Sequence, residues 1–182
     1  MPSLVAAVVV AGGRGSRLGG SPKQYRRIGG EAACQHLATQ AAARSVTLTH
    51  SGLDRLVAYA QPGLLARVIE NVIANAVQYN RDDGAVHIRG FDDPAPGDAW
   101  QSGHVRIEVS DSGPGIPEAE WECIFDRFYR RESSRSRRTG GAGLGLALSR
   151  AIAAWHGGSL RVRESSPAGT TFELVMPGLR QA

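Results

Sequence analysis

Lysine is nearly absent from this 182-residue chain: of its 21 basic side chains only Lys23 is a lysine. Its positive charge is therefore carried by guanidinium groups, which bind phosphate in a bidentate fork. Cysteine is scarce as well. Cys34 and Cys123 lie far apart, which excludes a paired-cysteine metal site and predicts two buried, reduced thiols in a cytoplasmic protein. Aromatic residues make up 6% of the chain. The longest apolar run, residues 4–11, is far short of the ~20 residues a bilayer requires. No basic start, apolar stretch and small-residue cleavage site mark a secretory signal. What remains is near average: 42% apolar and 21% charged, with a net charge of +4. That composition excludes disorder for most of the chain. It suits one soluble domain able to bury roughly 70% of its unfolded surface.

The pattern along the chain predicts α+β layering. A short β-type run opens a glycine-rich, basic stretch. Helices are expected over residues 31–44, 62–79, 118–129 and 143–156. Strands are expected over 46–49, 85–89, 104–111, 159–163 and 171–176, with loops over 91–103 and 130–141. The two last strands form a hairpin, and each long helix has one apolar face. Together these imply a two-layer sandwich in which a mixed, mostly antiparallel sheet is covered on one face by helices. No internal repeat is present.

Four places can hold chemistry. On the 62–79 helix Leu65, Val68, Ile69, Val72 and Ala76 make an apolar stripe, while Asn71, Asn75 and Tyr79 share another face at i, i+4 and i+8. That face is either solvated or supplied with polar partners by a ligand or hydrated metal. In the 104–111 strand Val105, Ile107 and Val109 face the core, and Asp111 has the same parity. A buried carboxylate needs donors. An adenine amino group beside the bare Gly113-Pro114-Gly115 turn is one candidate, and a plain strand-end turn is the other. Third, Gly141, Gly143 and Gly145 run into a helix whose apolar face reads as Leu144, Leu148, Ala151, Ile152 and Trp155. Exposed N–H groups at such a start suit an anion, and six arginines lie between Arg127 and Arg138. Fourth, Arg14, Arg17 and Lys23 flank an N-terminal glycine loop that lacks P-loop spacing. No metal cluster or nucleophile–base pair is readable, and the five histidines are scattered.

Five of these motifs, in order over residues 37–178, resemble the catalytic and ATP-binding domain of bacterial sensor histidine kinases, a Bergerat-type ATPase fold. Asn71 to Tyr79 resembles the asparagine box, and Asp111 to Ile116 the first glycine box. Ile124 to Arg130 is similar to the phenylalanine box. Gly141 to Leu146 is similar to the second glycine box, and Gly169-Thr170-Thr171-Phe172 to the closing threonine strand. The resemblance implies ATP and Mg²⁺ as cofactors in a two-component signalling system. Asn75 would hold the metal, Asp111 the adenine amino group, and Tyr79 and Ile116 the base. Gly113 and Gly115 would shape that turn, and Thr170 would close it. Gly141, Gly143, Leu144, Gly145 and Leu146 would meet the phosphates, with Asn71 and Arg130 at the catalytic positions. Hydrolytic relatives carry a water-activating glutamate where Asn71 stands. Glu70 points about 100° away, so phosphoryl transfer to a protein is expected over hydrolysis.

Two features depart from that family. Gln78 stands where many members carry Lys or Arg, and no histidine lies in an H-[ED]-x-[RK]-x-P setting. The expected partner is thus a histidine phosphoacceptor domain or response regulator supplied in trans, not nucleic acid. A regulatory ATP-binding module and an anti-sigma-type serine kinase are the alternatives. Separately, Ala11 to Tyr25 is similar to the opening of isoprenoid-pathway cytidylyltransferases, the rest of which is missing. Residues 1–36 are therefore read as a nucleotidyltransferase-like segment short of a domain, 37–178 as the ATP-binding domain and 179–182 as a tail. The N-terminal segment is expected to pack loosely or borrow a sheet edge.

Overall fold

A computed structural model of the chain describes residues 8–11, 25–28, 31–53, 56–93, 103–130 and 142–178, with side chains described from residue 37 onward. Its main sheet has five strands, in the order β3 (Thr47–Ser51), β5 (Ala85–Asp93), β6 (His104–Asp111), β8 (Gly169–Pro177) and β7 (Ser159–Ser166). Only β3 and β5 run parallel; every other neighbouring pair is antiparallel. The helices α1 (Glu31–Ala42), α2 (Pro62–Gln78) and α3 (Gly145–Trp155) share a core with one face of this sheet. This is the expected two-layer α+β sandwich. No helix among the described residues is long and apolar enough to cross a membrane.

The alternation read from the sequence places the core. Val105, Ile107 and Val109 of β6 are buried, as are Leu65, Val68, Val72 and Ala76 of α2, with Ile69 packed at the edge. α2 begins with Pro62 in its first turn, where the missing N–H costs nothing. Its C-terminal carbonyls at Val77 and Gln78 accept from the guanidinium of Arg44, which reaches Asn80 as well. α3 ends at Gly157, in the left-handed region at φ 76°, and the Gly158 N–H closes onto the Ala153 carbonyl at 2.9 Å.

Four expectations change. The 118–129 run is not a helix but two 3₁₀ turns, Glu118–Glu120 and Cys123–Phe125. Tertiary contacts win over periodicity here. The Trp121 Nε1–H reaches the Ile116 carbonyl at 3.0 Å, and Phe125 sets its edge against Phe172 at 6.5 Å. Strand β5 continues through Phe91 to Asp93, where a loop is expected, because Arg106 ion-pairs with Asp93 and stacks over Phe91. Cys123 is half-exposed rather than buried. On α3 the buried residues are Ser149, Ile152 and Ala153, while Leu144, Leu148, Ala151 and Trp155 face outward. Small residues at 145, 149 and 153, spaced i, i+4 and i+8, let α3 lie close to its neighbours.

A second sheet, unforeseen, has the order β2 (Tyr25–Ile28), β1 (Val8–Ala11), β4 (Val57–Tyr59). Strand β1 runs parallel to β4 and antiparallel to β2, so the N-terminal segment borrows the edge of β4 rather than of the main sheet. Arg14, Arg17 and Lys23 lie outside the described residues. The open face of the main sheet carries two buried carboxylates. Glu108, 1% exposed, pairs with Arg89, Arg106 and Arg163, and Glu173 pairs with Arg161 at 2.6 Å. Such burial stands only when each charge is matched.

Candidate functional site

Helix α2 forms one wall of the site. Asn71, Asn75 and Tyr79 rise along it on one face, about 6 Å per step and about 12 Å in all. Asn71 and Asn75 are half-buried, and Tyr79 is exposed beyond the helix end. At the lower end the Asn71 Nδ2 donates to the Gly145 carbonyl at 3.3 Å and to the Ser149 hydroxyl at 3.1 Å. The asparagine box and the second glycine box therefore meet directly. For Asn75, no side-chain partner exists among the described residues.

At the upper end Asp111 closes β6. Its Oδ1 accepts the N–H of Gly113 at 2.8 Å and of Thr170 at 3.3 Å. Its second oxygen has no hydrogen-bond partner among the described residues. Burial pushes this carboxyl above the usual aspartate range. The two backbone donors, together with the charge of Arg81, pull the other way. Gly113 is where the turn and α2 converge. A Cβ there would sit 2.8 Å from the Asp111 Oδ1 and 2.9 Å from the Tyr79 carbonyl oxygen. Beside it the Ile116 N–H donates to the Ser165 hydroxyl at 2.7 Å, which also contacts the Thr170 hydroxyl at 2.8 Å. Asp111, Gly113, Gly115, Ile116, Thr170 and the backbone of Tyr79 thus form one cluster.

Gly115 has φ 77°, and a Cβ would come within 2.0 Å of the Ser166 carbonyl oxygen. Gly115→Ala should therefore destabilise the fold by about 2–4 kcal/mol, from left-handed strain plus displacement of the β7–β8 hairpin. A thermal melt that leaves the midpoint unchanged would contradict this packing.

Gly143, Leu144, Gly145 and Leu146 lead into α3. No side chain caps its first turn and no acid lies in it, so its leading N–H groups remain available to an anion. Gly143, at φ 69°, faces Phe128, itself left-handed at φ 66°, and the Phe128 N–H donates to the Gly143 carbonyl at 3.0 Å. Arg130 is exposed at the end of its segment. Gly141 lies outside the described residues. No group of His, Cys, Asp or Glu among the described residues could by itself hold a metal. A cation here would rest on one amide and on ligand oxygens, which suits Mg²⁺.

Sequence reasoning overlooked the supporting residues. Asn80, buried, accepts from Ser112 Oγ and the Arg81 N–H and donates to the Ala85 carbonyl. Arg81 spans the Ser112 and Ala168 carbonyls. Ser149 and Ser165 were legible only as small polar residues at i+4 from Gly145 and i−1 from a strand end.

Residues 60–180 match the family model described as histidine kinase-, DNA gyrase B-, and HSP90-like ATPase. The histidine-protein kinase/phosphatase MprB of Mycobacterium sp. (strain KMS) is 39% identical over 125 residues, 66% of this chain and 22% of its own length. The sensor-like histidine kinase SenX3 of Mycolicibacterium smegmatis is 38% identical over 115 residues, 63% of this chain and 28% of its length. The chain thus spans less than a third of either relative. Among solved structures, a mycobacterial sensor histidine kinase MprB superimposes with a TM-score of 0.63 at 30% identity, covering 83% of this chain and 96% of that one. Full-length ShkA in complex with AMPPNP gives 0.64 at 26% identity, covering 83% and 29%.

Proposed function

Because the chain belongs to the histidine kinase-, DNA gyrase B-, and HSP90-like ATPase family, we propose that its histidine-kinase-type catalytic domain uses Mg-ATP to phosphorylate a histidine on a domain supplied in trans. The observation that carries this is the Asp111 carboxylate, half-buried with one oxygen held by two backbone donors and the other left for a base. Asp111 accepts from the adenine amino group, while Gly113 and Gly115 let the turn seat closely against α2 and the β7–β8 hairpin beside the ring. Tyr79 and Ile116 flank the base. Asn75 holds Mg²⁺, and the free N–H groups at the start of α3 take phosphate oxygens. Bound Mg-ATP supplies the transferable γ-phosphoryl group. Arg130 would offset developing charge, and positioning does most of the remaining work. The amide of Asn71 abstracts no proton from water, which favours transfer over hydrolysis. We place the reaction in the cytoplasm, where ATP is supplied.

The acceptor is assigned to the outward face of α3. Leu144, Leu148 and Trp155 are exposed, Trp155 by 73%. With Ala151 they form a stripe at i, i+4, i+7 and i+11, suited to a helical partner. The test is γ-labelled Mg-ATP with the chain and an isolated phosphoacceptor domain. Acid-labile label on the acceptor supports the reading. Acid-stable label points to a serine kinase, and absence of label to a regulatory binder. Trp155→Ala should lower transfer about 30-fold, as loss of an aromatic anchor does, with Mg-ATP affinity within twofold. Unchanged transfer would move the partner off this face.

A further inference from the structure

We propose that Ser149 is a positioning residue: with Asn71 it forms a latch that sets the first turn of α3 against α2, and so fixes where the Gly143–Gly145 backbone meets the nucleotide's phosphates. This rests on the ATP reading above and assigns Asn71 a part different from contact with the reacting group.

Ser149 is fully buried, on the side of α3 turned toward α2. A buried hydroxyl needs a partner, and it takes one from the other helix rather than from its own. The Asn71 Nδ2 donates to Ser149 Oγ at 3.1 Å and to the Gly145 carbonyl at 3.3 Å. A carbonyl oxygen only accepts, so the amide nitrogen must face it. Both of its N–H groups are then in use, and neither remains to donate to a phosphate. The two helices are close here: a Cβ built on Gly145 would lie in van der Waals contact with the Asn71 amide carbon, at 3.7 Å. Asn75 is one turn further along the same face of α2. The latch therefore fixes the distance between the metal-holding amide and the phosphate-holding turn. At the other end of the helix pair the Gln61 N–H donates to His156 Nε2 at 3.1 Å. Between these bonds Leu65, Val68 and Val72 of α2 and Ile152 and Ala153 of α3 belong to one apolar core, which sets no rotation or register of α3 so sharply. Adenine recognition at Asp111 lies two turns away along α2 and does not depend on the latch.

The test compares wild type, Ser149→Ala, Asn71→Ala and the double variant of the full chain, titrated with Mg-ATP and with adenosine in a calorimeter. Alanine at 149 keeps helix propensity and loses one oxygen, so the fold is retained. Ser149→Ala should weaken Mg-ATP by about three- to tenfold, the worth of one hydrogen bond, while adenosine changes less than twofold. In the Asn71→Ala background Ser149→Ala should add nothing further. Hydrogen exchange of the nucleotide-free protein should speed up at Leu148, whose N–H closes the first turn onto Leu144 at 2.9 Å. Equal losses on both ligands would make Ser149 a packing residue and overturn the latch. Additive effects, or an unchanged Mg-ATP affinity, would overturn it as well. Failure of the wild type itself to bind Mg-ATP would instead defeat the ATP reading, and the latch's role with it.

Discussion

Asp111→Asn should strip the protein of its nucleotide without weakening the empty fold. The carboxylate and the carboxamide have nearly the same shape. Asparagine's Oδ1 can still accept from Gly113 and Thr170, the two bonds that seat the side chain. Its Nδ2, however, falls where Asp111 offers its second oxygen, and presents a donor to the donating amino group of adenine. A charge-assisted bond contributes about 1.5–3 kcal/mol, so affinity for Mg-ATP should fall at least tenfold and up to about a hundredfold. Preference for adenine over guanine should collapse with it. Stability moves the other way. Burial raises the folded-state pKa of Asp111 above its unfolded value. Between those two values the folded state holds the proton more tightly than the unfolded chain, so stability falls as pH rises through that window. Above it, the cost of the buried charge is fully expressed. A neutral asparagine removes that cost, and the variant's melting temperature at neutral pH should equal or exceed that of wild type. The same shift predicts that nucleotide affinity of the wild type declines on acidification at a higher pH than an ordinary aspartate would dictate. Protection of the wild type by Mg-ATP in a thermal melt, about 2.7 kcal/mol at a hundredfold excess over the dissociation constant, gives the comparison. A variant that keeps this protection would remove Asp111 from the adenine contact, and one that melts lower when empty would contradict the cost assigned to its buried charge.

That prediction draws on features legible in the sequence. Parity along β6 aims Asp111 inward, and the structure half-buries it there; the glycines after it are legible too, and the structure gives them a packing reason, since a Cβ at either would strike Tyr79 or Ser166. Alternation and helical spacing read well wherever one face of an element is buried and the other is wet, as in α2. They misread α3, because a stripe of Leu, Leu, Ala and Trp is also what a partner-binding face looks like. Of the apolar face expected there only Ile152 packs inside, and the rest of the inward face is glycine, serine and alanine, residues that periodicity scales rate as indifferent. The 3₁₀ turns around Trp121 and Phe125 were hidden for a related reason. Their conformation is set by a side-chain bond to the Ile116 carbonyl and by the ring of Phe172, which is remote in sequence. Asn80, Arg81 and Ser165 are of the same kind. Each bonds to a group remote in sequence, Asn80 to the Ser112 hydroxyl, Arg81 to the Ala168 carbonyl and Ser165 to the Ile116 N–H, and no spacing rule announces such a partner.

Asn75→Ala should abolish the part of ATP affinity that depends on magnesium and leave the rest. The position is half-buried on a helix whose core side is Leu65, Val68, Val72 and Ala76, so truncation removes no packing of consequence, and alanine is the better helix former. The empty protein should melt within a few degrees of wild type. What is lost is the one protein oxygen proposed to hold the cation, and no cluster of acids among the described residues can replace it. Mutations of residues that only support a metal's ligands already cost 10–100-fold in affinity. Removal of the ligand itself should therefore cost at least about a hundredfold in Mg-ATP binding. Titration in EDTA separates the contributions. Without the metal, wild type and variant should bind ATP with the same weak affinity, since Asp111 and the glycine turn are intact in both. Transfer to the acceptor should fall at least in step with Mg-ATP affinity, because uncompensated phosphate charge opposes both binding and displacement. Calorimetry that finds Mg-ATP affinity within threefold of wild type would take the metal away from Asn75, and a loss of equal size in EDTA would show that its amide meets the nucleotide directly.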